Sequence, residues 1–489
     1  MPRYASQTLA LCSGVAACTL LIGTITAWLV SFYEFPGRAF FRWAIILPLT
    51  LPTYLAAFAY RDFFSSSGIV PGILRHYGIL LGTREFPDVM NIWGAIFIFS
   101  FVLYPYVYLT MRASFSSNVA PYFNTSRLFG LSGTQVLLTI ALPLTRPAGV
   151  AGVSLVLMET LNDYGAVHYL GIDTLTVGIF RTWFSYGDLA GAKKLAALLL
   201  IGGVLLFLLE RVNRGNARYN SSLPTATTSP RRLRGWCSWI AIAFCGVPVT
   251  LGFIFPVGQI VWWVGQAQPT EWSPLWAASL TSLLVSFLAT ILVILIATLL
   301  IHGSSTVKGF AVRSLTSISS LGYAIPGAVI AVGVLMISTA MDHNLVALFG
   351  QSPRYILTGS LAVLVYAYCV RFMAVGLNPI DSAFRQRCKG YDEAASTLGY
   401  SPLRILLRVN LPILKPTVLA ASILIFVDIL KELPLTLILR PFNFNTLATL
   451  VFESAIDERV AESAPAALLI VAVSLAPIIF LNRLSQEQK

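Results

Sequence analysis

Apolar runs long enough to cross a lipid bilayer recur along this chain, among them Leu9–Ser31, Leu275–Ile301 and Ser463–Leu481. About 20 helical residues span a hydrocarbon core of about 30 Å. Inside lipid, a helix is the one open segment that satisfies its own backbone hydrogen bonds. These runs therefore dictate an all-α polytopic membrane protein. Composition agrees, since 56% of the 489 residues are hydrophobic and only 11% charged, against about 25% charged in a soluble domain. Mean hydropathy is +0.77.

The net charge of +12 does not point to nucleic acid, because of where it lies. Arg211, Arg214, Arg218, Arg231, Arg232 and Arg234 crowd one polar linker with no acidic residue among them. In a membrane chain, short basic loops mark the cytoplasmic side. The six cysteines form no CxxC pair and mostly sit in apolar runs, so they read as small apolar filling. The first run has no small-residue cleavage pattern after it and reads as a span.

Apolar runs between charged breaks predict about eleven spans, near 8–32, 41–60, 91–111, 143–161, 193–210, 236–264, 275–301, 314–340, 355–377, 412–430 and 463–483. The linker 211–235 divides a first transmembrane half, 1–210, from a second, 236–489. With the linker in the cytoplasm, the loops 33–40, 112–142, 302–313 and 378–411 and the tail from Asn482 become cytoplasmic too, each carrying at least one Arg or Lys. The acidic segments (Glu85 and Asp88, Asp173 and Asp188, Glu453 to Glu462) fall outside. Odd parity places Met1 outside. Aligning the halves leaves the 236–264 helix without a counterpart: either the first half lacks it, or the natural start lies further upstream.

One polar loop occurs twice. Gly130 and Gly399, Pro143 and Pro412, and Pro147 and Pro416 are each separated by 269 residues. The downstream copy carries Glu393-Ala394-Ala395, Gly399, Leu411 and Pro412; the upstream copy keeps Gly130, Ile140, Leu142 and Pro143 but has Asn124-Thr125-Ser126 in place of Glu-Ala-Ala. The downstream pattern predicts a helix through Asp392–Leu398 stopped by Gly399, and then a short second helix, Pro402 to Val409. Leu411-Pro412 would then redirect the chain into the next span. Ala394 and Ala395 leave room for another surface to approach.

The pattern E-A-A-x-x-x-G-x9-I-x-L-P, present here with Val409 at the Ile position, resembles the signature of permease subunits of bacterial ABC importers. Longer stretches, such as Leu47–Tyr54, Leu103–Leu109, Gly178–Phe184 and Lys431–Pro441, are similar to the fused two-half permeases of iron(III) importers. The resemblance implies two tandem parallel-repeat halves of the type I importer kind, with about 11 spans here and 12 in the family. It implies two copies of a separate ABC ATPase, which carry ATP and Mg, and a periplasmic ferric-type binding protein. Glu393, Ala394, Ala395, Gly399, Leu411 and Pro412, with Asn124, Gly130, Leu142 and Pro143 in the other copy, would contact the ATPase. The missing acid upstream predicts unequal docking sites. The location would be the bacterial inner membrane, with the docking loops, linker and C-terminus cytoplasmic.

Charges inside spans are costly and mark function by default. Glu159 and Asp428 share the 269-residue offset, as do Asp163 and Glu432. As oxygen donors these acids suit a hard cation such as ferric ion, with Glu159 and Asp428 as the metal-contacting pair. The alternative is an ion pair between Asp428 and Lys431, three residues on. Pro52 and Pro326 sit at matching places in the two halves, where kinked or interrupted helices often line transport pathways. The four histidines show no ligand spacing, and the chain contains no G-x-x-x-x-G-K-[ST] phosphate loop. ATP hydrolysis thus belongs to a partner, and the chain is a transport subunit rather than an enzyme, with no cofactor of its own. The expected cargo is ferric iron; thiamine, a phosphonate or a polyamine is the alternative. An ion-coupled secondary transporter with inverted repeats is disfavoured, because both signature loops fall on the same side.

Overall fold

A computed structural model describes residues 2–65, 68, 89–214, 230–266, 272–306, 310–319, 321–349 and 357–487. In order, the first helices are α1 (Pro2–Phe32), α2 (Arg38–Ala44), α3 (Thr53–Phe64), α4 (Ile92–Ser114), α5 (Ala120–Leu128) and α6 (Gly133–Asn162). Then come α7 (Gly165–Tyr169), α8 (Leu175–Phe180), α9 (Leu189–Arg214) and α10 (Trp236–Gln266). The later helices are α11 (Trp272–Thr306), α12 (Phe310–Ser319), α13 (Gly327–Phe349), α14 (Leu361–Arg387) and α15 (Lys389–Thr397). The series ends with α16 (Pro402–Leu430), α17 (Pro434–Leu439), α18 (Leu447–Ile456) and α19 (Val460–Glu487). The one sheet among the described residues pairs Tyr33–Glu34 with Arg231–Arg232 in parallel, and Arg232 forms a 3.4 Å ion pair with Glu34.

Residues 1–268 and 455–471 form one compact unit, and residues 269–454 and 472–489 a second. In the first unit α1 runs along α4, and both pack on α6. Glycines allow it: a Cβ on Gly23 would lie 2.7 Å from the Cβ of Val107, and one on Gly152 would lie 2.4 Å from the hydroxyl of Thr110. Without water to drive helices together inside lipid, such close backbone approach supplies the association. In the second unit α11, α14 and α16 make the same triad. There the small residues trade sides, with Gly376 of α14 facing Val293 and Ala297 of α11.

Nine helices among the described residues are long and apolar enough to span a membrane, or ten if the pair 38–50 and 53–64 counts as one bent span. The about eleven spans expected from the sequence compare with these nine or ten among the described residues. The predicted spans 41–60 and 314–340 are each broken. Residues 38–50 and 53–64 meet at 90°, and α12 ends before a turn at 322–324, from which α13 starts. Both breaks have one cause. Leu51 (φ −94°, ψ 117°) and Ile325 (φ −92°, ψ 124°) are extended because each precedes a proline, Pro52 or Pro326. The prolines therefore open new helices and do not kink old ones. Gly322 suits its break, since a Cβ there would lie 1.9 Å from the carbonyl oxygen of Val370.

Helix α10 follows the linker, yet it packs within the first unit. Asp62 of α3 accepts hydrogen bonds from Gln259 Nε2 and Trp263 Nε1, each 2.8 Å, and the Tyr60 hydroxyl donates to the carbonyl of Leu251 at 2.7 Å. At the amino end of α1, Arg3 and Arg181 both pair with Asp173 at 3.0 and 2.8 Å. That end therefore lies beside the 170–175 loop.

Candidate functional site

The duplicated loop folds the same way twice. Helices α5 and α15 each end in a left-handed glycine, Gly130 at φ +72° and Gly399 at φ +78°. Leu131 N–H donates to the Ser126 carbonyl and Tyr400 N–H to the Ala395 carbonyl, both at 3.2 Å, which is the six-to-one bond of a Schellman ending. No neighbouring atom lies within 4 Å of where either glycine's Cβ would be, so backbone conformation and not space demands glycine. Ser132 then caps α6, exchanging bonds with Gln135, and Ser401 occupies the same place before Pro402.

The next step departs from expectation. No separate helix Pro402–Val409 forms, and Leu411-Pro412 does not redirect the chain. Instead α16 runs unbroken from Pro402 to Leu430, with a π turn at 406–410; α6 has its own at 137–141. Proline clashes with the preceding turn of a regular helix. A wider π turn immediately before Pro143 and Pro412 gives each ring room. The two short helices are thereby joined through four-residue corners, 129–132 and 398–401, to full membrane spans, so force on one reaches the other.

Ala394 is exposed, but Ala395 is buried and faces inward. Leu142 and Leu411 are half-buried, and Pro143 and Pro412 are exposed. The side chains of Asn124 and Glu393 lie outside the described residues. Sequence reasoning missed the largest features of these surfaces. Tyr391 is 63% and Leu398 76% exposed on the downstream element; Tyr122 is 55% and Phe129 79% exposed on the upstream one. Both pairs obey the 269-residue offset, so the repeat itself could have revealed them.

The acids resolve into different roles. Asp163 lies past the end of α6, where it accepts from the Thr53 hydroxyl and, at 2.8 Å, from the N–H of Ala166 at the start of α7. Glu432 does the same for α17, accepting from Leu435 N–H at 3.2 Å, and it pairs with Arg371 at 3.4 Å, both side chains buried. Thus both acids brace the turn after a long span. Asp428 forms a 2.9 Å ion pair with Lys431. Glu159 is half-buried on α6. Pro52 and Pro326, both buried, stand at the two helix breaks. Among the described residues no three His, Cys, Asp or Glu side chains converge as a metal site would require.

The model of the family described as "binding-protein-dependent transport system inner membrane component" matches residues 19–217 and again 300–487. An Fe(3+)-transport system permease protein of Haemophilus influenzae is 25% identical over 99% of this chain and 90% of its own length. A probable ABC transporter permease of Sinorhizobium fredii is 23% identical over 96% of this chain and 86% of its own length. A sulfate transport system permease protein of Salmonella typhimurium is 25% identical, over 38% of this chain and 66% of its own. A putative 2-aminoethylphosphonate permease of the same organism matches 42% of this chain at 25% identity, and 73% of its own length.

Proposed function

Because this chain belongs to the family of binding-protein-dependent transport system inner membrane components, we propose that it is the fused permease of an ATP-driven ferric iron importer. The observation that carries the reading is the doubled docking element, a short helix, a left-handed glycine and a capped membrane span repeated at one offset. Two copies of a separate ATPase, holding ATP and Mg, seat on α5 and α15 at the cytoplasmic face of the inner membrane. A binding protein delivers cargo at the opposite face. Nucleotide-driven approach of the ATPases pulls on the two docking helices. Each is continuous with a long span, so the spans rock and open a path alternately to each side.

Ferric iron is favoured over an oxyanion because the likeness to the iron permease runs the whole chain, whereas the likeness to the sulfate and phosphonate permeases covers about two-fifths of it. The test is copurification of the ATPase with the chain. Gly399→Pro forces φ near −65° where +78° is needed and should abolish recovery of the ATPase at that element while the chain still inserts. Undiminished recovery would refute the assignment of α15 as a docking helix.

A further inference from the structure

The two docking helices are fastened to their spans by opposite chemistry. In the first unit, Trp28 and Phe32 at the end of α1 meet Phe123 of α5, with ring centroids 5.7 and 4.4 Å apart, and Ala141 of α6 is buried. Two internal contacts fix the register of the second unit against the first. Leu175 N–H donates to Thr8 where Leu447 N–H donates to Ser282, and Gly23 meets Val107 where Ala297 meets Gly376. By that register His302 takes the place of Trp28. The 269-residue offset puts Asp392 at Phe123 and Asn410 at Ala141.

These three polar residues touch. Asn410, fully buried, directs Nδ2 to Asp392 Oδ1 at 3.1 Å and to His302 Nδ1 at 3.3 Å. Ser305 donates to the other Asp392 oxygen at 3.4 Å. A carboxylate accepts only, so the Asn410 nitrogen must face it, and His302 must accept at Nδ1 with its proton on Nε2. Buried Cys388, one turn before Asp392, has its thiol pushed up by burial and then by that carboxylate, and so it stays a neutral neighbour.

We propose that Asn410 is a positioning residue that latches docking helix α15 to spans α11 and α16 through Asp392 and His302, performing with hydrogen bonds what the aromatic cluster performs for α5. This rests on reading α15 as a docking helix. Large plus small apolar residues (Phe123, Ala141) are exchanged for two medium polar ones (Asp392, Asn410), so the contact is kept and only its chemistry changes. A directional latch holds α15 only while all partners are present. An aromatic cluster tolerates slip.

The test uses the full chain with its ATPase and binding protein in liposomes, and compares Asn410→Ala with the triple variant His302→Trp, Asp392→Phe, Asn410→Ala, which installs the chemistry of the first unit. Asn410→Ala should lower cargo moved per ATP at least fivefold with the ATPase still bound. It should also speed amide exchange in 389–397, but not in 120–128, at least fivefold. The triple variant should recover both to within about twofold of the native values. Near-isosteric Asn410→Asp provides a version that keeps the fold. Two facing carboxylates should uncouple it at pH 8, and protonation of one should restore coupling at pH 6. Native exchange and coupling in Asn410→Ala, or a triple variant no better than the single one, would overturn the latch. If the native chain bound no ATPase, the docking reading itself would fail, whereas the exchange comparison on the chain alone would still decide whether Asn410 holds α15.

Discussion

Tyr391 and Leu398 lie seven residues apart, two helical turns, and so share one face of the downstream docking element. Full burial of a leucine side chain contributes about 1.5–3 kcal/mol. Leu398 is 76% exposed, so a partner groove can gain about 1.5 kcal/mol from it, about tenfold in affinity. Tyr391 at 63% exposure should contribute at least as much, because interface tyrosines are frequent anchors. Leu398→Ala with Tyr391→Ala should therefore weaken ATPase binding at that element by about 100-fold. The assay is titration of purified ATPase onto the chain in lipid nanodiscs, read as affinity and stoichiometry. Two ATPases per chain should fall to one at moderate concentration, the survivor seated on α5. Affinity and stoichiometry unchanged within about twofold would refute the assignment of this face to the partner.

Removing one member of the buried Arg371–Glu432 pair should destabilise the second unit. Glu432→Leu removes the carboxylate that faces a buried cation, at a cost of about 3–5 kcal/mol, and adding Arg371→Leu should return most of it, as thermal unfolding in detergent would show. Gly23→Leu should drive α1 away from α4, lowering yield and melting temperature, whereas Gly202→Leu, with open space about its Cβ, should change neither. Glu159→Gln combined with Asp428→Asn should cut iron uptake more than tenfold with ATPase recovery intact; normal uptake would remove both acids from the path.

The broad architecture was legible because lipid imposes one rule on every segment: residues that cross it must be apolar for about 20 positions. The repeated helix-and-glycine element was legible because a left-handed turn demands glycine, and Gly130 and Gly399 announce it twice. What failed was local. Pro412 was read as a redirection, but a π turn spread over five residues takes up its ring. Pro52 and Pro326 mark kinked or interrupted helices in the sequence, without saying which. Their effect falls on the residue before them, which must be extended, so the helix breaks completely. Counting along a span places Asp163 and Glu432 at matching positions but does not foretell their local partners. Their hydrogen bonds to Ala166 and Leu435 N–H show them ending one helix and starting the next. Such partners lie three residues on in sequence, yet the turn that brings them together carries no compositional mark.

The central claim is ATP-driven import of ferric iron through this chain, and uptake by liposomes holding the chain, its ATPase and a ferric-binding protein tests it most directly. With ATP on the docking-helix side and iron-loaded binding protein on the other, iron should accumulate, and omitting ATP or the binding protein should stop it. Accumulation of sulfate or a phosphonate in place of iron, or iron uptake sustained by an ion gradient without ATP, would contradict the account.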